Sequence, residues 1–326
     1  MRLFRRGRGR PAATDQHLTF LTREQASRLR TLVQEAFAAQ GRAVLVSGDH
    51  ARDEQGMHVG LANVAAQCQA APSEAEWPGI VAAHVRRVEA MAATDVLAEA
   101  TPDQALAQTY AMLYAASPAL SPDSGYGYAR EALPGLLEVL AFDSPDSFRL
   151  LTDGEIDRLG GVATLREAGR ANLRALPVES AERVAPAGGV EFDVLSGESV
   201  YTASRALVLS DTLGRLGQSE PARGVLACLP SRHQLAVHPL GGDDPAMEPL
   251  SEMAHFAHAG YSQGIGRLSP HVYWWHDGGW EQVSTVRDGR VDLHLSSGLL
   301  APSGPDAQPG LPEPDDGPEP PAAHPE

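Results

Sequence analysis

Apolar positions change their period along this chain, and the change divides it. In "TREQASRLRTLVQEAFAAQG" (22–41), Leu29, Val33, Ala36 and Phe37 recur at three- and four-residue spacing, the pattern of a helix with one buried face. Thr22 and Gln25 form a capping box at its start, and Gly41 ends it. "RAVLVS" predicts a short strand, and "HVGLANVAAQCQA" a buried helix. "SEAEWPGIVAAHVRRVEAMAA" predicts another helix, with Ser73 and Glu76 as a second capping box and Val81, His84, Val85 and Val88 as its stripe. Residues 101–116 fit either a helix or, in "TYAMLYA", a strand.

Beyond residue 120 the texture becomes extended. "LPGLLEVLAFDSP" and "SFRLL" read as strands after a short helix near 126–133, "TLREAGRANLRAL" as a capped helix and "VEFDVL" as a strand. "SVYTASRALVLSDTLGRLG" suggests a longer helix. "RGVLACLP" and "QLAVHPL" make a hairpin around Pro230, Ser231, Arg232 and His233. An amphipathic helix follows in "PAMEPLSEMAHFAHAGYSQG". Hairpins then turn at Asp277-Gly278-Gly279 and at Asp288-Gly289. The class expected is α+β. A mostly helical N-terminal half (17–118) precedes antiparallel hairpins packed with helices (119–298), between a basic flexible segment (1–16) and a disordered tail (299–326). Residues 301–326 hold nine prolines and little apolar bulk, which prevents them from repaying the cost of ordering.

Composition narrows the chemistry. The chain has no lysine; all 26 basic residues are arginine. Pyridoxal-phosphate enzymes, P-loop nucleotidases and protein kinases each need a lysine, so these classes are excluded. The net charge is −16, with five arginines in residues 1–10 and six acids in 301–326. An acidic body is a poor match for nucleic acid, which needs cations to neutralise phosphates. No apolar run reaches the length of a membrane span, and no signal peptide is read at the start. Cys68 and Cys228 make neither a disulfide framework nor a zinc site, so a reduced, cytoplasmic setting is expected. Glu252, His255 and His258 do not share one helix face; no metal and no cofactor is expected.

What remains is arginine chemistry. Arg205 and Arg232 lie on a helix and a hairpin close in sequence, and two planar guanidinium forks suit a carboxylate or phosphate. The competing expectation is that each pairs with a local acid or caps carbonyls. His233 falls on the opposite pleat from Arg232 if the strand continues through the turn. Asn63 and Asn172 sit at matching places in "GLANVAA" and "GRANLRA". Asn is a poor helix-interior residue, so both are expected to bond something specific.

The segments "GRANLRAL", "SVYTASRALVL", "RGVLACLPSRHQLAVHPL" and "LSPHVYWWHDGGWEQV" together resemble the YtpQ-like family of bacterial proteins, classed as a domain of unknown function. The family pattern often has Asp after the hairpin arginine, where this chain has His233. The resemblance implies no reaction or cofactor, but it directs attention to Asn172, Tyr201, Ser204, Arg205, Pro230 and Arg232. The expected role is non-catalytic binding of a protein partner or small anionic ligand. The alternative is an enzyme that holds an anionic substrate in an Arg205–Arg232 clamp.

Overall fold

A computed structural model describes residues 13–299 except 54–57, 94–96, 145–146, 187–188, 243–244 and 297–298. The expected tail lies outside the described residues apart from Leu299, which is buried. Of the expected flexible N-terminal segment, 13–16 are described. Thr14 bridges to Thr22 and Asp15 is buried, so ordered structure begins before residue 17.

The N-terminal module opens with helix α1 (Arg23–Ala39), whose Thr22–Gln25 capping box is present as expected. Strands β1 (Leu45–Ser47), β2 (His50–Arg52) and β3 (His58–Gly60) form a small antiparallel sheet, followed by helices α2 (Ala62–Ala70) and α3 (Trp77–Ala93). "HVG", expected to be helical, is strand β3. The second capping box does not form as expected: Ser73 caps a short 3-10 turn, Glu74–Glu76, by accepting from the Ala75 N–H. The stripe residues Leu29, Val33, Phe37, Val81 and Val85 meet around Trp77 in a core that includes no residue beyond Val88.

The body begins with helix α4 (Pro102–Gln108) and strand β4 (Thr109–Ala115), which resolves the ambiguity of residues 101–116. Strands β5 (Arg130–Leu133), β6 (Leu136–Ser144) and β7 (Ser147–Leu150) follow. The helix expected near 126–133 is absent: Tyr128 and Ala129 lie in a turn that leads into β5. β6 pairs with β4 along one edge and with β5 and β7 in turn along the other. This sheet crosses the regional boundary expected at 118/119.

Helices α5 (Asp153–Arg158) and α6 (Val162–Ala175) come next. α6 starts at Gly161 without a side-chain cap. It lies so close to β4 that a Cβ at Gly169 would sit 2.6 Å from the Ala111 nitrogen. One turn on, Asn172 Nδ2 donates to the carbonyls of Leu106, Ala107 and Thr109, tying the α4–β4 junction to α6.

A six-stranded antiparallel sheet has the order β13-β12-β10-β11-β9-β8. Its strands are β8 (Ser180–Val184), β9 (Phe192–Ser196), β10 (Val225–Cys228), β11 (Gln234–Pro239), β12 (Val272–His276) and β13 (Gly279–Gln282). The expected single long helix at 199–217 is instead a 3-10 segment, Ala203–Val208, leading into the short helix α7 (Leu209–Arg215). Helix α8 (Met247–Gln263) lies on the opposite face. Val225, Ala227 and Leu229 face Ala203, Leu209 and Leu213, while Leu226 and Cys228 face Leu250, Met253 and Ala257. β10 is therefore apolar at every position, because neither of its faces meets water. A last hairpin, β14 (Ser284–Arg287) and β15 (Arg290–Leu293), turns at Asp288-Gly289, both with positive φ, as Asp277-Gly278 does between β12 and β13. No helix among the described residues is long and apolar enough to cross a membrane.

Candidate functional site

The turn Pro230–His233 lies where several chain segments converge. The Arg232 N–H donates to Gly266 O (2.8 Å), the Leu268 N–H to Pro230 O (3.1 Å), and the Ala203 N–H to Arg232 O (3.0 Å). Gly266, at φ +64°, passes over the arginine stem so closely that a Cβ there would lie 2.7 Å from Cδ and Nε. That combination of left-handed backbone and close approach needs glycine.

From this turn the Arg232 side chain reaches the N-terminal module. Nη2 donates to Asn63 Oδ1 at 2.5 Å, Nε donates to His233 Nε2 at 3.1 Å, and Cζ lies 5.8 Å from the Phe148 ring centroid. Nη1 has no hydrogen-bond partner, and no carboxylate pairs with the guanidinium, among the described residues. Burial lowers its proton affinity, and the nearby Tyr114 phenol raises it only in part. Arg232 is thus a partly buried cation whose charge no neighbouring anion neutralises, an arrangement that costs solvation energy.

His233 departs from the opposite-pleat expectation. β11 begins only at Gln234, so strand alternation does not reach the turn and both side chains meet. Burial, then the charge of Arg232, push the imidazole below its ordinary value, while the backbone at Gly197, Ser199 and Glu198 partly offsets this. Because Nε2 accepts from Arg232, the ring is neutral with its proton on Nδ1. His233 also lines a cleft of about 420 Å³ with Ser196, Gly197, Ser231, Gln234 and Gln263. With its free lone pair already engaged, the ring is poorly placed to act as a general base.

The other candidates do not join Arg232 in a clamp. Arg205, only 2% exposed, donates through Nη2 to the carbonyls of Leu176 (2.7 Å) and Pro177 (2.6 Å) at the end of α6. It caps carbonyls, and the two guanidiniums share no partner. Ser204 Oγ accepts the Leu113 N–H of β4 at 2.9 Å, satisfying a donor on that sheet's edge. Tyr201 donates to Asp143 Oδ1 at 2.8 Å and stacks on Tyr110, with centroids 4.5 Å apart. Burial, reinforced by Asp143, holds the phenol far above its ordinary value, so it remains a donor. Phe148 and Tyr201 meet in an edge-type pair with ring centroids 6.3 Å apart, and Arg232 lies over the Phe148 ring. Pro230 packs beneath Gly260, whose Cβ would approach its ring to 2.9 Å.

Phe148 and Gly266 carried no sequence signal as site residues, since each comes to Arg232 only through tertiary contact. No group of three or more His, Cys, Asp or Glu among the described residues could hold a metal ion. No protein-family model, no curated protein and no solved structure matches the chain.

Proposed function

We propose that this protein is a non-catalytic binding protein that takes a small carboxylate-bearing ligand at Arg232. The observation that carries this reading is a partly buried guanidinium, held by Asn63 and His233, and left without a counter-ion among the described residues. A carboxylate at Nη1 would supply the missing charge through a charge-assisted hydrogen bond. The Phe148 ring favours ligands with a flat apolar part beside the carboxylate. Engagement of both Arg205 and the His233 lone pair speaks against the clamped-substrate enzyme. The acidic composition makes nucleic acid an unsuitable occupant.

A cytoplasmic setting is part of this reading. It is supported by two buried, unbridged cysteines, with burial pushing the Cys68 thiol up to about 11. Membership of the YtpQ-like family is likewise proposed, on the strength of the sequence segments quoted above. A protein partner in place of a small anion is the competing outcome. Thermal-shift titration with acetate, benzoate and succinate at constant ionic strength decides between them. The expected result is a saturable rise that is largest for benzoate and lost in Arg232→Met; no rise, or an equal rise in the variant, overturns the carboxylate site.

A further inference from the structure

A second arginine group lies where α6 covers the β4–β7 sheet. Glu138 stands within the apolar run of β6, and its side chain is completely buried. Oε2 accepts from Arg130 Nε (2.8 Å) and Arg170 Nη2 (3.0 Å), and Oε1 from Arg170 Nε (2.9 Å). Arg166, one helical turn before Arg170, approaches the same carboxylate only to 3.7 Å. Its Nη2 donates to the Tyr128 carbonyl, and its Nε is buried with no acceptor.

Three guanidiniums therefore surround one carboxylate, a local surplus of two positive charges in a chain of net charge −16. No second acid pairs with any of the three among the described residues. Glu138 already accepts three hydrogen bonds, so it has little capacity left for Arg166. Burial, followed by repulsion from Arg130, lowers the proton affinity of Arg166, and Glu138 only partly compensates. The Nη1 groups of Arg130, Arg166 and Arg170 make no hydrogen bond among the described residues. The Arg130 side chain is 51% exposed, and that of Arg170 31%, so the group is open to solvent.

We propose that Arg130, Arg166 and Arg170 form a second anion site, which binds the dianion of a phosphate monoester. Two negative charges match the surplus, and terminal phosphoryl oxygens suit several planar donor forks better than one carboxylate would. Glu138 positions Arg130 and Arg170 while neutralising one of the three charges. The site is independent of Arg232, which contacts none of these residues in any hydrogen bond or ion pair described.

The test is a calorimetric titration of the full chain with phenyl phosphate and, separately, inorganic phosphate at constant ionic strength. Arg130→Gln changes an exposed side chain, and its circular dichroism spectrum and melting temperature establish that it folds. Saturable binding of phenyl phosphate to the parent is expected, weakened by about tenfold or more in Arg130→Gln and Arg170→Gln and unchanged in Arg232→Met. Absence of saturable binding to the parent, or unchanged affinity in folded Arg130→Gln, overturns the proposal. So does binding of inorganic phosphate alone. Loss in Arg232→Met with retention in Arg130→Gln would assign the anion to Arg232 and likewise overturn it. The carboxylate reading at Arg232 fails or stands on its own titration.

Discussion

Asn63, in the first turn of α2, accepts a hydrogen bond from Arg232, 169 positions further along the chain. Neutral Asn orients the guanidinium without discharging it, which leaves the positive charge available to a ligand. Asn63→Asp should close that opening. An internal ion pair at this partly buried seam would stabilise the fold by roughly 1 kcal/mol and compete with any added carboxylate. The melting temperature is expected to rise while benzoate affinity falls. Unchanged affinity in this variant would remove Arg232 as the anchor.

Arg205 should behave oppositely. Arg205→Met leaves the Leu176 and Pro177 carbonyls without their donor, at a cost of about 2–4 kcal/mol. A urea titration should register this as a lower midpoint, with the benzoate response at saturation intact. If the response disappears while the midpoint stays, Arg205 belongs to the site after all.

Two glycines separate backbone strain from crowding. At Gly41, with φ +81°, an alanine methyl would meet nothing within 4 Å, whereas at Gly266 it would collide with Arg232. Gly41→Ala is expected to cost about 1 kcal/mol, from backbone conformation alone. Gly266→Ala should cost about 1–3 kcal/mol and also displace the arginine, so that benzoate binding weakens. Equal losses in the two variants, with binding preserved, would contradict the close packing at the turn.

Stability should fall in two stages on acidification. His84, His233 and His271 are each held below 6.5, mainly by burial, so the unfolded chain binds their protons more readily. Their contribution is complete above 6.5 and is lost as pH falls below it. Burial alone would raise Glu138, but hydrogen bonds from Arg170 and Arg130 bring it below 4.5. Its contribution is present above 4.5 and fades as pH drops through the lower folded-state value. Urea midpoints from pH 8 to pH 3 should trace both stages. His84→Leu, which replaces a ring whose Nε2 lacks a partner, should diminish only the first. A first stage of undiminished size would refute the assignment to His84.

The elements with strong local signals were legible in the sequence. The Asp-Gly turns of the β12–β13 and β14–β15 hairpins follow from left-handed backbone at both positions. The Thr22 cap and the α8 pattern likewise rest on short-range rules. The segment 199–217 misled because its apolar spacing suits a helix, while tertiary hydrogen bonds at Ala203 and Ser204 accompany a tighter 3-10 path. In the candidate site, the repeated Gly-x-Ala-Asn pointed correctly to two asparagines with specific partners. It could not disclose that Asn172 binds carbonyls and Asn63 a guanidinium, because those partners lie 63–66 and 169 positions away. Glu138 did leave a trace, a lone acid inside "LLEVLAF", whose meaning required the arginines of α6.

The apolar core of residues 18–88 shares no member with the cores of the body. Among the described residues, the hydrogen bonds that join the two run from Thr19 to the Ser262 carbonyl, from Arg267 to the His17 carbonyl and from Arg232 to Asn63. Cooperativity passes most effectively through shared packing, and no buried apolar residue is common to the two sides among the described residues. Residues 18–88 are therefore expected to open separately from the body. Two calorimetric transitions are the expected outcome, and a ligand at Arg232, standing on the boundary, would draw them together.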